Sequence, residues 1–513
     1  MTGFDWIVIV AYLGGVVTAG LWLGRKKENM EDYFLGGRNI PWGAAMLSMV
    51  ATEISAATFL GAPEQGYIRD MTYLQFGIGS ILARFALAFL FMSLYYKLRV
   101  VTVYGFLNHR FGFKTKNSAA GAFLLGRFFA GGSRLFIASL AVKVVTGVDM
   151  ATSIIILGAM SIFYTFFGGI KAVIWTDVIQ AIVLISGAFI SIFALLGDIQ
   201  MPFSEIWAML SEEGKFLLID TTLRDENGGL RLYSNAYHFI PAILGGFFLT
   251  MATHGTDQAM IQRLLTCKDS FRGKLSMISS GFLGIGVTIL FMFVGMLLFV
   301  YVQTRLPGDE MLLLANELSE KGQNGNFYLH YILEGLPPGV SGIIIASVLA
   351  AAMSSTDSEL NAMSATFVND FYIPYFNPNV DERTGLKISR YTTMVCGVLL
   401  VGVAVMIAQF YANNPETDLL SIALGVMTYF YGGLLGLFLV GMLTAERGNA
   451  LTNIIALVGS TVLVILLGVN TQLAWSWNII IGTLVTFGVA AIGKTSLTAL
   501  NHYRKAHSDA ENT

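Results

Sequence analysis

The chain has 513 residues, and recurrent apolar segments of about twenty residues leave it few ways to fold. A hydrocarbon layer about 30 Å thick is crossed by about 20 apolar residues in a helix. Thirteen segments have that length, near 5–24, 42–66, 72–97, 118–147, 151–168, 174–197, 236–262, 273–302, 340–368, 389–411, 418–442, 449–469 and 473–493. Backbone polar groups inside a bilayer must bond within their own segment, so such runs read as helices. The period-two alternation of an outer-membrane barrel is missing from the sequence. The expected class is an all-α polytopic membrane protein of about 13 transmembrane helices.

Composition agrees. Only 12% of residues are charged, against about 25% in a soluble domain. The net charge of −2 offers no basic face for DNA or RNA, so the lipid bilayer is an expected partner and nucleic acid is not. Cys267 and Cys396 lie far apart in apolar segments and make neither a disulfide framework nor a metal motif. No metal cluster, nucleophile–base pair or phosphate loop supports an enzyme. The N-terminal stretch has no basic n-region and no small-residue cleavage site, so residues 5–24 are expected to stay as the first span.

Positive charge orients the expected bundle. With the N-terminus outside, the inside segments carry 21 Lys and Arg, the outside segments six, and four lie within spans. That bias predicts N-terminus out and C-terminus in, in a plasma (inner) membrane, with an odd number of spans. The two long loops, about 198–235 and 303–339, then fall outside and read as lids or short amphipathic helices.

Charges within membrane helices cost free energy and mark functional positions. They are Glu53, Arg84, Arg127, Arg134, Lys143, Asp177, Asp257, Asp357 and Glu359. Segment 42–66 has a small, polar middle, ATEISAAT. A helix can break there, and freed carbonyls can coordinate a bare cation if they line a cavity; close helix packing is the other use of small residues. Segment 340–368 contains AAAMSSTDSELNAMS, in which Ala351, Ser354, Ser355 and Ser358 form one stripe with Asp357 beside it. Hydroxyls, a carboxylate and carbonyls are hard oxygen ligands of the kind sodium prefers. Segment 236–262 has a second breakable middle, with Thr250, Thr253, His254 and Asp257. Two interrupted helices at matching places in two halves point to an inverted-repeat transporter site.

Three stretches then resemble the sodium/solute symporters, a family that includes sodium/sugar and bacterial sialic acid transporters. They are EDYFLGGRNIPW (31–42), YTFFGGIKAVIWTDVIQ (164–180) and AAAMSSTDSELNAMSATFVNDFY (350–372). The similarity runs over about residues 5–445. It implies a LeuT-type fold with 5+5 inverted repeats. In this chain residues 1–30 would hold an extra N-terminal helix and 31–197 the first repeat, followed by the loop 198–235. Residues 236–445 would form the second repeat with its loop 303–339, 446–495 two C-terminal helices and 496–513 a cytoplasmic tail.

The resemblance also implies a site. The main sodium ion would be held by carbonyls of Ala51, Ile54 and Ala351 and hydroxyls of Ser354 and Ser355. A second sodium site, found in some sialic acid transporters, would use Asp177 with Ser354, Asp357 and Ser358. Asp357 stands where those relatives have serine, so it either binds sodium more tightly or exchanges a proton. One or two sodium ions are thus expected. Ser55 and Thr58 match hydroxyls that hold sialic acid, and Arg134 lies near a carboxylate-binding arginine. Glu53, Tyr73, Ser80, Thr250, Thr253 and His254 are pocket candidates by position. Arg134 either binds an anionic group of the solute or neutralises Glu53 or another helix carboxylate. His254 is either a hydrogen-bonded core histidine or a ligand.

The function implied is sodium-coupled import by alternating access, by a protein working as a monomer. The solute is a small organic molecule, anionic of sialic acid or monocarboxylate type. A neutral sugar or polyol, a proton-coupled carrier and a solute sensor are the alternatives.

Overall fold

The computed structural model describes residues 1–23, 30–167, 169–224, 230–414 and 417–495; the expected tail, 496–513, lies outside them. The described residues form helices and no sheet. The long ones are α1 (Gly3–Leu23), α2 (Trp42–Glu53), α3 (Ala56–Ile68), α4 (Met71–Lys97), α5 (Phe113–Thr146), α6 (Met150–Phe167), α7 (Ile170–Ile199) and α8 (Phe239–Gly255). They continue with α9 (Gln258–Leu265), α10 (Ser270–Gln303), α11 (Val340–Phe367), α12 (Glu382–Asn413), α13 (Leu419–Leu443), α14 (Ala450–Asn470) and α15 (Trp475–Ile492).

Among the described residues eleven helices are long and apolar enough to cross a bilayer, and α2 with α3, bent by 63°, raises this to twelve as one broken span. The sequence suggested thirteen. The thirteenth expected segment corresponds to α6, an 18-residue helix that is not among these twelve. Both long loops carry a short helix, Phe203–Glu212 and Glu310–Glu320.

Burial sorts the helices into layers. In the most apolar 18-residue stretch of α11 and its continuation to Tyr375, 89% of the residues are buried, against 22% in that of α1 and 28% in that of α14. Helix α11 is rich in Ala, Ser and Gly, and small side chains let neighbouring backbones approach. It therefore forms the axis, with α1, α2, α5, α7 and α12 packed around it. Helices α1 and α14 instead present Phe4, Ile7, Val10, Leu451, Val458 and Val469 outward, as a lipid-facing surface does.

Two helices break in the buried interior of the bundle. The first break follows Glu53: Ser55 is fully extended (φ −84°, ψ 179°) and its hydroxyl accepts from the Ala57 amide, capping α3. The second follows Gly255: Asp257 is extended and its carboxylate accepts from the Ala259 amide at 2.7 Å, capping α9. Ser and Asp are strong N-caps because their oxygens satisfy the orphan amides of a first turn.

Candidate functional site

A helix end leaves its last carbonyls without intrahelical partners. At the second break two of them are taken, Gly255 by the Tyr95 hydroxyl at 2.6 Å and Thr256 by Tyr104 at 2.9 Å. At the first break the end of α2 rests on the middle of α11, where the Ser355 hydroxyl donates to the Thr52 carbonyl at 3.1 Å. Ala51, Ile54, Ala351 and Ser355 are all buried at this contact region between α2 and α11. Hydroxyl and carbonyl oxygens at a helix end match the chemistry a bare sodium ion needs.

Ser354 turns elsewhere. Its hydroxyl donates to Asp177 Oδ1 at 2.6 Å, and Ser48 donates to Asp177 Oδ2 at 2.5 Å. Arg263, on α9, reaches into the same group. It donates to Ser48 Oγ at 2.8 Å, to Asp177 Oδ2 at 3.0 Å and to Ser358 Oγ. The ligand set expected around Asp177 therefore already surrounds a guanidinium. Asp357 is not part of this group. Its Oδ1 accepts from the Thr165 hydroxyl of α6 at 2.9 Å, on another side of α11.

Above these contacts lies a cavity of about 140 Å³, lined by Glu53, Thr58, Tyr73, Ser80, Arg134, Thr250, Thr253 and His254 together with Ile54, Arg127, Asp257 and Met427. Ser55, which caps α3, is buried and is not among the lining residues. Glu53 does not pair with Arg134. Arg84 holds both Glu53 oxygens, at 2.6 and 2.5 Å, and donates to Ser280 at 2.7 Å. His254 bonds Thr253 through Nδ1 at 2.9 Å and points Nε2 toward Glu53, 3.7 Å away.

On the opposite wall two arginines seven residues apart on α5 share two carboxylates. Arg134 lies 3.1 Å from Glu359, and Arg127 lies 2.8 Å from Asp257 and 3.3 Å from Glu359. Tyr431 donates to Asp257 at 2.6 Å. Arg134 Nη2 meets the Met427 sulfur at 3.6 Å, a weak acceptor. Gly131 makes room for Glu359, since a Cβ there would lie 2.2 Å from Oε2.

Sequence reasoning did not single out Arg263. With 236–262 taken as one span, residue 263 fell among the cytoplasmic charges. The break at Thr256–Asp257 places it inside the bundle instead. The signal available was Asp257 itself, an N-cap residue followed by another helical turn.

The sodium:solute symporter family model matches residues 33–456. The sodium/sialic acid symporter NanT of Aliivibrio fischeri is 29% identical over 487 residues, covering 94% of this chain and 91% of that protein. The human sodium-coupled monocarboxylate transporter 1 is 27% identical over 92% of this chain and 74% of its own length. Among solved structures, a substrate-bound, outward-open Na+-coupled sialic acid symporter superposes with a TM-score of 0.82 at 23% identity, over 96% of this chain and 97% of that one. Mhp1, a nucleobase-cation-symport-1 family transporter, superposes at 0.58 and 15% identity over 94% of this chain and 98% of that one. The fold is of the LeuT type. With a family model matching most of its length, the chain belongs to the sodium:solute symporter family.

Proposed function

We propose that the protein imports a small organic anion of monocarboxylate size together with sodium, by alternating access between two sides of the membrane. The carrying observation is Arg134. It lines the cavity with one nitrogen on Glu359 and another on nothing stronger than a thioether. A guanidinium placed so can form a charge-assisted bond to a carboxylate.

Charge balance supports the reading. Around the cavity Glu53 cancels Arg84, and Glu359 and Asp257 cancel Arg134 and Arg127. Sodium at Ala51, Ile54, Ala351, Ser354 and Ser355 adds one positive charge with no carboxylate among its ligands. An anionic solute returns the centre to neutrality, so each should raise the other's affinity by the same factor. Size supports it too. A cavity of about 140 Å³ is close to the roughly 150 Å³ that admits benzene, which suits a few heavy atoms. The names of the sialic acid and monocarboxylate symporters supply the carboxylate class. A neutral sugar or polyol is the second reading, favoured by Thr58, Ser80, Thr250 and Thr253, which line the same cavity.

In this reading 31–197 and 236–445 are the two repeats, each opening on a broken helix, α2–α3 and α8–α9. The N-terminus is outside, as the Lys and Arg distribution implies, and the protein works as a monomer in the plasma (inner) membrane. An inward sodium charge falling through 100 mV releases about 2.3 kcal/mol, a roughly fifty-fold concentration ratio.

The test is uptake of labelled short monocarboxylates by proteoliposomes under a sodium gradient. Arg134→Gln should lower uptake about ten- to hundred-fold at low solute concentration without changing sodium affinity in the absence of solute. Ser355→Ala should abolish sodium-driven uptake. Normal uptake in Ser355→Ala contradicts the sodium site, and normal anion uptake in Arg134→Gln contradicts the anion assignment.

A further inference from the structure

The carboxylates in the middle of this bundle come with cations. Glu53 has Arg84, Asp177 has Arg263, Asp257 has Arg127, and Glu359 has both Arg127 and Arg134, with nitrogen–oxygen distances of 2.5, 3.0, 2.8, 3.3 and 3.1 Å. Asp357 differs. It is 0% exposed, and among the described residues no basic side chain reaches it. One oxygen accepts from Thr165 at 2.9 Å, and the other, Oδ2, has no hydrogen-bond partner. An ionised carboxylate kept from water without a counter-charge is among the costliest arrangements a fold can hold.

The surroundings of Asp357 are also short of partners. The Tyr12 hydroxyl, on α1, is buried with the Gln180 side chain of α7 as a polar neighbour, and neither makes a well-aligned hydrogen bond to any other group. Tyr12 lies beside Gln180 and within electrostatic reach of Asp357. Helix α1 packs this face, through Tyr12, Leu13, Val16 and Val17, against Met353, one turn before Asp357. One turn before Thr165 on α6, Ser161 Oγ is likewise buried and unbonded. Four helices thus bring unsatisfied oxygens to one neighbourhood that carries a single negative charge. A carboxylate, a phenol, an amide oxygen and hydroxyls form a hard, oxygen-only set.

We propose that Asp357 Oδ2, the Tyr12 hydroxyl and the Gln180 amide oxygen, with Thr165 orienting the carboxylate, form a sodium site of their own, enclosed by α1, α6, α7 and α11. It is separate from Asp177, whose counter-ion is Arg263. The proposal rests on the sodium-coupled reading for the identity of the ion. Asp357 lies two residues beyond Ser355 on α11, so the two ions would report to one helix, and α1 would contribute a ligand rather than only lipid contacts.

Equilibrium binding of sodium-22 to the purified full chain in detergent tests this. Wild type should bind two ions. Asp357→Asn should bind one, with its affinity for that ion unchanged, and Ser355→Ala should retain the ion that Asp357→Asn loses. Two ions in Asp357→Asn, or a single ion in both wild type and Asp357→Asn, overturns the proposal while leaving the main sodium site standing. No sodium binding by wild type overturns both readings. Tyr12→Phe and Gln180→Leu remove ligands without removing charge, so they serve if Asp357→Asn does not fold. Each should weaken one of the two ions about tenfold or more, and two unchanged affinities in both variants overturn the proposal.

Discussion

Arg127 makes the case for reading charges as pairs. Its guanidinium is almost wholly buried and spans Asp257 and Glu359, which come from α9's cap and from α11. Removing one member of such a set leaves the others charged and unpaired, which costs about 3–5 kcal/mol. Arg127→Met should therefore lower the unfolding midpoint of the purified protein sharply, whereas Arg134→Gln, which leaves Arg127 on Glu359, should lower it much less. Equal losses in thermal unfolding would contradict this division of labour. The charged residues themselves were visible in the sequence, since any ionisable group in an apolar run stands out. Their pairing was not. Glu53 pairs with Arg84, 31 residues away, while Arg134 and Glu359 are 225 residues apart. Nothing local links residues across such separations. Arg263 was hidden for a different reason, that a helix break keeps the next turns inside the bundle where an unbroken helix would have left it.

At the scale of elements, composition carried the breaks. The small residues of ATEISAAT and the cap residues Ser55 and Asp257 mark where helices stop and restart, and the structure breaks at both. The use made of each break was not legible, because it depends on what packs there. Tyr95 and Tyr104 take the freed carbonyls at one, and Ser355 reaches the other. The second half of the first broken helix, α3, is held by backbone contact. A Cβ at Gly295 on α10 would lie 2.0 Å from the Pro63 carbonyl, and one at Gly66 on α3 would lie 2.1 Å from the Met292 carbonyl. Neither backbone can yield locally. Gly295→Ala should force α3 and α10 apart and cost about 1–3 kcal/mol, read as a lower thermal midpoint, and an unchanged midpoint would contradict this close packing.

For the whole molecule, the family and the general architecture could be read from the sequence because the motifs fall on the elements that meet at the centre. The solute could not, since the candidate cavity draws side chains from α2, α3, α4, α5, α8, α9, α10 and α13. The central claim is that sodium and an organic anion complete one neutral site and so bind cooperatively. Ligands that bind the native state raise its unfolding midpoint. The direct measurement is thermal unfolding of the purified protein across a panel of short organic anions and neutral sugars, in sodium and in potassium. The midpoint should rise only with sodium and a carboxylate together, and Arg134→Gln should remove the rise. A rise with sugars alone, or one equally large in potassium, would contradict it.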